Sequence, residues 1–540
     1  MSHLRNLAAL AAVIMCLPAD VSGQIESPTL TDATVVARGS FRVRSQIEWT
    51  RFDAIYGPGG KTTLPLGASL TAYVDATALP LLEPIQAAAQ TLARAPSLQL
   101  AVGNLTTSAD SRIARVPVSI EYGLTRRITL GINVPIVESR TVLTAQLNGR
   151  KDSTANIGVN PAGFLFLPAA FAANDQVTSG IESARTALIT RMADCTTSPT
   201  SNGCPALNVR AAEAQAIIAD AGSFAQAAKT LYGVSVTNPG SPFAPLAGSP
   251  MQKAIDNHLS DLRTQFASFG VVGGTGSFAS AKGFAANAQL QQLVSASAYG
   301  IGLDSIGSTD QLSIGDIELS VASQLFNSFI DSVTSGIHWR GALMGVVRLA
   351  TGHTARGNRP LDVGTGDGQR DVEARVALDV MIGHRLLTTI SSTYTQQLGT
   401  VRYSRLPSSP GLFFGLVDPV SGSIKPGNMA AVRMNPRFLL TRGLMIGGLF
   451  TAAYRGADQV TVAGASVGAG AYGNPTSSIK WADGVTLSYS NLVTRSGTGT
   501  IRFPADVLFS HLETVGANAA GAAKTTRDAI EVRLYFRTRR

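Results

Sequence analysis

Strict alternation of apolar and charged side chains over residues 370–383, RDVEARVALDVMIG, constrains the fold of this chain more than any other feature. Apolar residues occupy every second position from Val372 to Val380, and charged residues such as Glu373 and Arg375 lie between them. Residues two apart share one face of a β-strand, whereas an amphipathic helix would space its apolar residues three and four apart. The segment is therefore predicted to be a strand with one apolar and one charged face.

The same alternation recurs along the chain. With the first segment, it predicts about twelve strands, an even number as expected of a bacterial membrane barrel. The other predicted strands lie at 41–50, 114–124, 128–136, 314–326, 337–349, 386–402, 432–440, 443–457, 478–490, 501–512 and 528–537.

A transmembrane barrel explains why so many strands carry one apolar and one ionic face. Strands in hydrocarbon must pair along both edges, so the sheet has to close, and their outward side chains must be apolar. Charged residues make up only 15% of the chain, which is low for a water-soluble protein. We predict an all-β fold, a transmembrane antiparallel β-barrel of about twelve strands with a helical insert in an external loop. A two-sheet soluble sandwich is the alternative.

The predicted connections alternate in length. Short turns are expected at 125–127, 383–385, 441–443 and 494–499, whereas the connections between them are much longer. Barrels of bacterial outer membranes have short periplasmic turns and long external loops, so the short turns are predicted to face the periplasm.

The first 23 residues resemble an export signal. Arg5 precedes an apolar run over residues 7–17, and small residues at the end predict cleavage near Gly23, before Gln24. Residues 24–540 would then form the mature outer-membrane barrel. Lipid attachment at Cys16 is the alternative, although a bulky methionine precedes that cysteine.

Residues 150–312 have a helical rather than a strand period, and we expect them to form an extracellular insert within the barrel. Apolar residues at three- and four-residue spacing predict helices at 182–195, 209–233, 249–269 and 285–300, with another at 81–95 in the first long loop. These helices could cover or enter the mouth of the barrel, or they could be surface decoration.

Cys195 and Cys204 are the only cysteines of the predicted mature chain. They flank a polar loop, and in an oxidising compartment the simplest interpretation is one local disulfide. A metal or redox pair would require C-x-x-C spacing or nearby histidines, and neither is present.

The polar faces of the predicted strands define candidate residues lining the lumen. Many of them are expected to form Arg–carboxylate pairs, because unpaired charges in a narrow interior are costly. Such pairs could plug the barrel; if a pore is open, the excess of arginine among the lining residues should modestly favour anions. The candidates are Arg42, Arg44, Glu48, Arg115, Glu121, Asp316, Glu318, His338, Arg340, Arg348, Glu373, Arg375, Asp379, Arg433, Arg437, Arg502, Asp506, Glu531 and Arg533.

Glycine-rich segments at 273–279 and 516–525 superficially resemble dinucleotide- and phosphate-binding loops. The first lacks a βαβ context, and in the second Lys524 is displaced from the required Gly-Lys pair, so both are interpreted as loops. No basic cluster with interleaved aromatic residues is present, so nucleic acid is not an expected partner.

Three aspartates, Asp362, Asp367 and Asp371, alternate with glycines and could offer oxygen ligands to Ca²⁺. A tight loop explains the same residues, so we predict neither a metal nor any other cofactor.

An outer-membrane hydrolase would need a Ser–His–acid arrangement. His338, His384 and His511 lie on different predicted strands, and no such arrangement follows from their spacing. We therefore predict no catalytic residues.

Four segments, in order, resemble an outer-membrane transporter family linked to phenol degradation and related to outer-membrane channels for fatty acids and hydrocarbons. They are YGLTRRITLGINVPIV (122–137), IGDIELSVASQLF (314–326), WRGALMGVVRLATGH (339–353) and LDVGTGDGQRDVEARVAL (361–378). The resemblance implies a monomeric barrel for uptake of small hydrophobic compounds. The chain departs from the family in its large insert and in ending Arg537-Thr538-Arg539-Arg540 beyond Phe536.

The sequence thus predicts a non-enzymatic outer-membrane channel for passive uptake of small hydrophobic or aromatic compounds, with membrane lipid and the solute as partners. The alternative is a non-transporting barrel whose helical cap binds a partner.

Overall fold

The computed structural model describes twelve segments of the chain. The segments are residues 32–149, 155–296, 304, 306–329, 336–356, 358–359, 361–404, 420–441, 443–462, 465–467, 476–491 and 504–537. The predicted signal at 1–23, its cleavage near Gly23 and the turn at 494–499 lie outside them.

Strands dominate the described chain. In order they are β1 (Ser40–Tyr56), β2 (Thr63–Pro65), β3 (Ala72–Asp75), β4 (Ala101–Gly123), β5 (Ile128–Leu147), β6 (Ile157–Val159), β7 (Phe243–Pro245), β8 (Thr309–Ile314), β9 (Glu318–Asn327), β10 (Ile337–Arg348), β11 (Asp371–Ile382), β12 (Leu386–Gln397), β13 (Thr400–Ser404), β14 (Val420–Lys425), β15 (Met429–Thr441), β16 (Leu444–Arg455), β17 (Gln459–Val462), β18 (Ala465–Val467), β19 (Ser478–Ser490), β20 (Ala505–Ala517) and β21 (Ala523–Arg537).

Twelve long antiparallel strands close into a barrel. Their order around the wall is β1, β21, β20, β19, β16, β15, β12, β11, β10, β9, β5 and β4, and β4 pairs with β1 to close the ring. The short strand β8 pairs with β5 beyond the end of β9. Small sheets of β13, β14, β17 and β18 and of β6 and β7 lie outside the ring. The predicted fold, a barrel of about twelve strands, is confirmed.

An apolar belt surrounds the barrel wall. On β5, the outward residues Leu130, Ile132 and Ile136 are exposed, while the inward residues Asn133 and Ser139 are buried. Exposed apolar side chains in such a continuous band would be unfavourable in water, whereas lipid solvates them. The barrel is therefore of the outer-membrane type.

Beyond the belt, the apolar face of the long strands changes sides. On β4, Val118 and Ile120 point outward within the belt, but Ala109 and Ile113 are buried towards the inside. The expected strand at 114–124 was consequently too short, since β4 begins at Ala101. Where the apolar residues move from the outward to the inward face, the sequence pattern is interrupted although the strand continues.

Helices form a second layer at the end of the barrel opposite the short turns. They are α1 (Leu82–Ala93), α2 (Pro168–Thr197), α3 (Cys204–Val209), α4 (Ala211–Tyr232), α5 (Pro250–Ser268) and α6 (Asn287–Ser295), with two single 3₁₀ turns at Pro58–Gly60 and Ala68–Leu70. We call α1 to α6 the cap. No helix in the described part of the chain is long and apolar enough to cross a bilayer.

The cap packs against the inner wall of one side of the barrel. Its buried core, which includes Leu92 and Phe224, is continuous with the inward side chains of Phe52 on β1, Ile113 on β4 and Leu143 on β5. The helices are thus anchored to the barrel by apolar contacts, as the change of face on these strands requires.

Most connections follow the predicted alternation. Short turns join β4 to β5, β11 to β12 and β15 to β16 at the end of the barrel away from the cap. One outer connection, 518–522 between β20 and β21, is shorter than expected. The sequence predicts a longer loop here, between strands at 501–512 and 528–537, because the outward residues Glu513 and Thr526 are polar and interrupt the apolar alternation at the strand ends.

Candidate functional site

The interior of the barrel has two chemically distinct halves. We call the inward faces of β21, β1, β4, β5, β9, β10 and β11 the ion-pair half, and those of β12, β15, β16, β19 and β20 the hydroxyl half. Both are built by the same alternation, which turns every second side chain of a strand inward.

Arg348 is the centre of the ion-pair half. Its guanidinium contacts Glu318 and Asp371 at 3.1 Å each and Glu373 at 3.2 Å. Arg375 also pairs with Glu373 and lies 3.7 Å from Glu318. All five side chains are buried. Pairing offsets the desolvation of each charge, so this cluster ties β9, β10 and β11 together and fills that part of the interior.

Further ion pairs link β1 to both of its neighbours. Arg42 pairs with Glu121 on β4, and Arg44 Nε lies 3.0 Å from Glu531 Oε1 on β21. Further along β1 toward the cap, the Arg527 guanidinium lies 2.8 Å from the Glu48 carboxylate. These contacts lie at the junction where the ring closes.

The chain segment before β1, residues 32–39, enters the interior at the turn end. Asp32 pairs with Arg533, and the backbone N–H of Ala33 donates to Asp379 Oδ2 at 3.0 Å. Sequence patterns gave no signal for this segment, because it is neither periodic nor part of a strand. Ala33 joins a small buried apolar cluster with Ala322, Ala342, Met344, Val346 and Ala377.

Neutral hydroxyls and amides replace carboxylates in most of the hydroxyl half. Inward positions include Thr389, Ser391, Thr393, Thr395 and Gln397 on β12, Asn435 on β15, Thr451 on β16, Thr486, Ser488 and Ser490 on β19, and Ser510 and Thr514 on β20. Small neutral side chains leave more open space than bridged arginines do.

A cavity of about 60 Å³ lies beside this half. Its lining mixes hydroxyls, amides, charged groups and apolar side chains. The lining residues are Gln46, Thr389, Ser391, Arg433, Asn435, Leu449, Thr486, Leu508, Ser510, Leu512, Arg527, Ala529 and Glu531. Leu449, Leu508 and Leu512 are not among the expected lining residues, all of which are ionisable.

The structure places the candidate lining residues in three groups. Buried are Arg42, Arg44, Glu48, Arg115, Glu121, Asp316, Glu318, Arg348, Glu373, Arg375, Asp379, Glu531 and Arg533. Half-buried are His338, Arg340, Arg433, Arg437 and Asp506. Arg502 lies outside the described residues.

Two of these candidates serve local structure. Asp316 accepts hydrogen bonds from the backbone N–H groups of Thr351 and Gly352 and so anchors the loop after β10. The ring of His338 lies 3.0 Å from the carbonyl oxygen of Ser328, near the turn end of the barrel.

The cap is held by covalent and polar contacts as well as by its core. Cys195 and Cys204 form a disulfide that joins the end of α2 to the start of α3, with their Cα atoms 5.1 Å apart. Asn174 donates from Nδ2 to the carbonyl oxygens of Tyr232 and Gly233, both at 3.0 Å, and thereby satisfies the end of α4.

One polar cluster connects three helices of the cap. Asp220 on α4 contacts Arg94 after α1 and the ring Nε2 of His258 on α5, the latter at 3.1 Å. Burial alone raises the pKa of Asp220, but hydrogen bonds from Arg94 and His258 outweigh burial and lower it below its ordinary value.

The remaining motifs give no second site. Asp362 pairs with Arg356, and Asp367 donates its backbone N–H to Asp316 Oδ2 at 3.1 Å. No group of three or more His, Cys, Asp or Glu side chains among the described residues is placed to hold a metal ion.

Histidine contacts likewise do not form a triad in the described chain. His511 pairs with Asp528 at 2.7 Å on the outward face. The ring of His353 lies 2.8 Å from Ser313 Oγ, a contact that the spacing of these residues in the sequence does not predict. Among the described residues no carboxylate is paired with His353.

Comparisons of the sequence with known proteins do not assign this chain to a family. No family model matches the chain, and no curated protein matches it. Among solved structures, an outer membrane channel from Pseudomonas putida F1 is similar at 8% identity and a TM-score of 0.41, covering 95% of this chain and 100% of that one.

Two further outer-membrane proteins are similar over most of their lengths. A FadL homologue of Pseudomonas aeruginosa has 10% identity and a TM-score of 0.24, covering 92% of this chain and 90% of its own. The Ralstonia pickettii toluene transporter TbuX has 8% identity and a TM-score of 0.25, covering 97% and 98%. The fold of the present chain is defined by its own closed strand order, and a link to phenol degradation is not shown.

Proposed function

We propose that this chain is a channel through an outer membrane and that small hydrophobic or aromatic compounds cross it by passive diffusion. The observation that carries the proposal is the cavity beside the hydroxyl half, which leaves part of the interior unfilled although the other half is bridged by ion pairs. A purely structural barrel would need no such asymmetry.

The lining of the cavity suits solutes with both apolar and polar parts. Leu449, Leu508 and Leu512 offer apolar surface, while Ser510 and Thr486 offer hydroxyls. Ligand sites commonly combine apolar walls with a few polar groups that orient the ligand. Passage needs only weak, repeated contacts of this kind, because tight binding would slow release.

Filling the cavity tests the proposal. Ser510→Trp introduces a large side chain into the cavity, whereas Phe509→Trp changes the neighbouring outward residue and leaves the interior unaltered. We expect the wild-type chain to conduct ions in a planar bilayer and to speed uptake of a labelled aromatic solute into cells. Ser510→Trp should lower both by about an order of magnitude, as expected when a pore constriction narrows.

The control variant and a check of folding show whether a loss of conductance comes from the filled cavity. Phe509→Trp should match the wild type, and both variants should keep the gel shift on heating that is typical of folded barrels. Equal conductance and uptake in Ser510→Trp and wild type would contradict a path through this cavity. A wild-type barrel that neither conducts nor increases uptake would contradict the channel function itself.

A further inference from the structure

Three arginines lie side by side on the outward face of the barrel wall. In the strand register, Arg51 on β1 is directly opposite Arg112 on β4, and Arg112 is directly opposite Arg140 on β5. All three side chains are exposed, and we call them the arginine row. Adjacent strands thus bring like charges together here, whereas in the ion-pair half they bring opposite charges together.

The arginine row is unfavourable without an anion. Like charges on directly opposite residues destabilise a sheet, because their Cβ atoms are only about 4.5–5.5 Å apart. An anion between the guanidinium groups offsets this repulsion and accepts charge-assisted hydrogen bonds from them. Long arginine side chains on three adjacent strands can reach such a shared anion, so the row is more stable with an anion bound.

The arginine row lies at the edge of the apolar belt that is nearer the cap. On β4, the outward residues Val118 and Ile120 belong to the belt, whereas Asp110 and Ser108, on the other side of Arg112, are polar. The change from apolar to polar outward residues places the row where the wall leaves the hydrocarbon.

Trp49 on β1 supports this level. Its exposed side chain is the outward residue next to Arg51 on the side of the belt. Tryptophan is enriched where a protein surface passes from hydrocarbon to lipid headgroups. The arginine row is therefore continuous with the lipid-facing surface and lies at the level of the headgroups.

We infer that the arginine row binds the phosphate groups of a phosphorylated glycolipid. The long connections and the cap are at the external end of a barrel of this type, where the leaflet of an outer membrane consists of such lipid. A phosphate monoester carries nearly two negative charges and three acceptor oxygens, and arginine can bind it through two parallel hydrogen bonds. The acyl chains of the same lipid lie against the belt. This site is independent of the proposed channel function, since it concerns lipid outside the wall.

Carboxylates also lie on this face of the wall. Arg112 Nε donates to Asp110 at 3.0 Å, Asp310 on β8 is directly opposite Arg140, and Glu138 lies nearer the belt on β5. The Arg112 side chain is 65% exposed, and ion pairs between exposed side chains are weak. A phosphate, with nearly twice the charge of a carboxylate, therefore competes for the same guanidinium groups.

Lipid binding by the full-length chain in detergent tests the inference. The probe is hexa-acyl lipid A with both of its phosphates, and native mass spectrometry measures the fraction of barrels that carry it. Arg51→Gln/Arg112→Gln/Arg140→Gln removes the charges of the row. We expect its Kd for lipid A to rise about tenfold or more, because charge-assisted hydrogen bonds to phosphate are lost.

The matched control changes three exposed arginines in the short turns at the other end of the barrel. Arg126→Gln/Arg127→Gln/Arg385→Gln alters the net charge equally and should bind lipid A as the wild type does. Lipid A stripped of its phosphates should bind the wild type about tenfold more weakly, whereas inorganic phosphate at the concentration of the lipid should not displace it, because it makes no contact with the belt.

Folding is checked by the heat-dependent gel shift. If the triple variant of the row does not fold, Arg112→Gln alone, at the centre of the row, is compared with Arg126→Gln and should weaken binding about threefold.

Each result supports or overturns the inference. Equal affinity of the wild type and the row variants would overturn it, as would equal binding of lipid A with and without phosphates. An equal loss in the turn variant would show an effect of net charge rather than of the row. Displacement of lipid A by an equal concentration of inorganic phosphate would show a site for the free ion and would overturn the assignment to lipid.

Discussion

The two halves of the barrel interior differ in how they handle charge. In the ion-pair half, arginines and carboxylates on adjacent strands neutralise one another, as Arg348 does with Glu318 and Asp371. In the hydroxyl half, neutral side chains such as Thr389, Ser391 and Thr486 line a cavity. Charged side chains on adjacent strands of the ion-pair half therefore hold those strands together, whereas the smaller neutral side chains of the hydroxyl half leave open space beside them.

Breaking the Arg348 cluster should give the largest effect. Arg348→Met leaves three buried carboxylates without the cation they share, and we expect the free energy of unfolding to fall by about 3–5 kcal/mol. Urea unfolding in detergent micelles, followed by the heat-dependent gel shift, measures the change.

The matched variant in the other half is Arg437→Met. It leaves no ion-paired carboxylate behind, so the loss should be only about 1 kcal/mol, the contribution of its hydrogen bond to Thr389. Equal losses for Arg348→Met and Arg437→Met would show that the two halves do not differ energetically.

The sequence predicted strands well wherever lipid imposes alternation. The belt segments 41–50 and 128–136 lie within β1 and β5, and the helical period of 249–269 gave α5 within one residue at each end. Prediction failed at the ends of β4 and β20, since alternation reverses or fades where strands leave the lipid. Local patterns carry no information about what a strand faces beyond the membrane.

For the interior, the sequence predicts which side chains of each strand point inward but not which of them contact one another. Alternation identified Arg348, Glu373 and Arg433 as inward, but it could not show that the first two pair while the third borders a cavity. Pairing depends on strand register across the ring, which no single segment encodes. The placement of residues 32–39 inside the barrel depends on contacts with strands hundreds of residues away, such as that between Ala33 and Asp379.

Hydrogen bonds of Thr389 link the two halves of the interior, and their contribution to stability can be measured. We call the contacts of Thr389 with Asp379 and Arg437 the seam. Thr389 on β12 donates to Asp379 at 2.7 Å and accepts a hydrogen bond from Arg437. Thr389→Val removes both contacts at constant volume and should cost about 1.5–3 kcal/mol, because one partner is a charged carboxylate. Thr393→Val, on the same inward face, should cost less than about 0.5 kcal/mol, since its hydroxyl has no partner among the described residues. Urea unfolding that ranks the two variants equally would argue against a stabilising seam.

An engineered carboxylate in the hydroxyl half tests whether cross-strand charge pairing distinguishes the two halves. Ser391 is the direct cross-strand neighbour of Arg433, so Ser391→Glu places a carboxylate beside it. Stability should change by only about 0.2–1 kcal/mol, as for other cross-strand pairs, while the modest anion preference expected from the arginine excess of the lining should fall. Ser391→Gln has similar bulk without charge and should retain the preference. Reversal potentials that shift equally in both variants would point to bulk rather than charge.

The smallest expected effect is that of acid on the cap, which lies outside the membrane. The pKa of Asp220 is lowered in the folded chain, so its contribution is complete above the unfolded value of about 3.9 and is lost as pH falls through the folded value. Protection of α1 from hydrogen exchange, corrected for intrinsic rates, should therefore decrease between about pH 5 and pH 3. Asp220→Asn should be less protected at the higher pH and should change less on acidification, because it has no carboxylate to protonate. A variant with the wild-type pH dependence would show that other groups anchor α1 through Arg94 and His258.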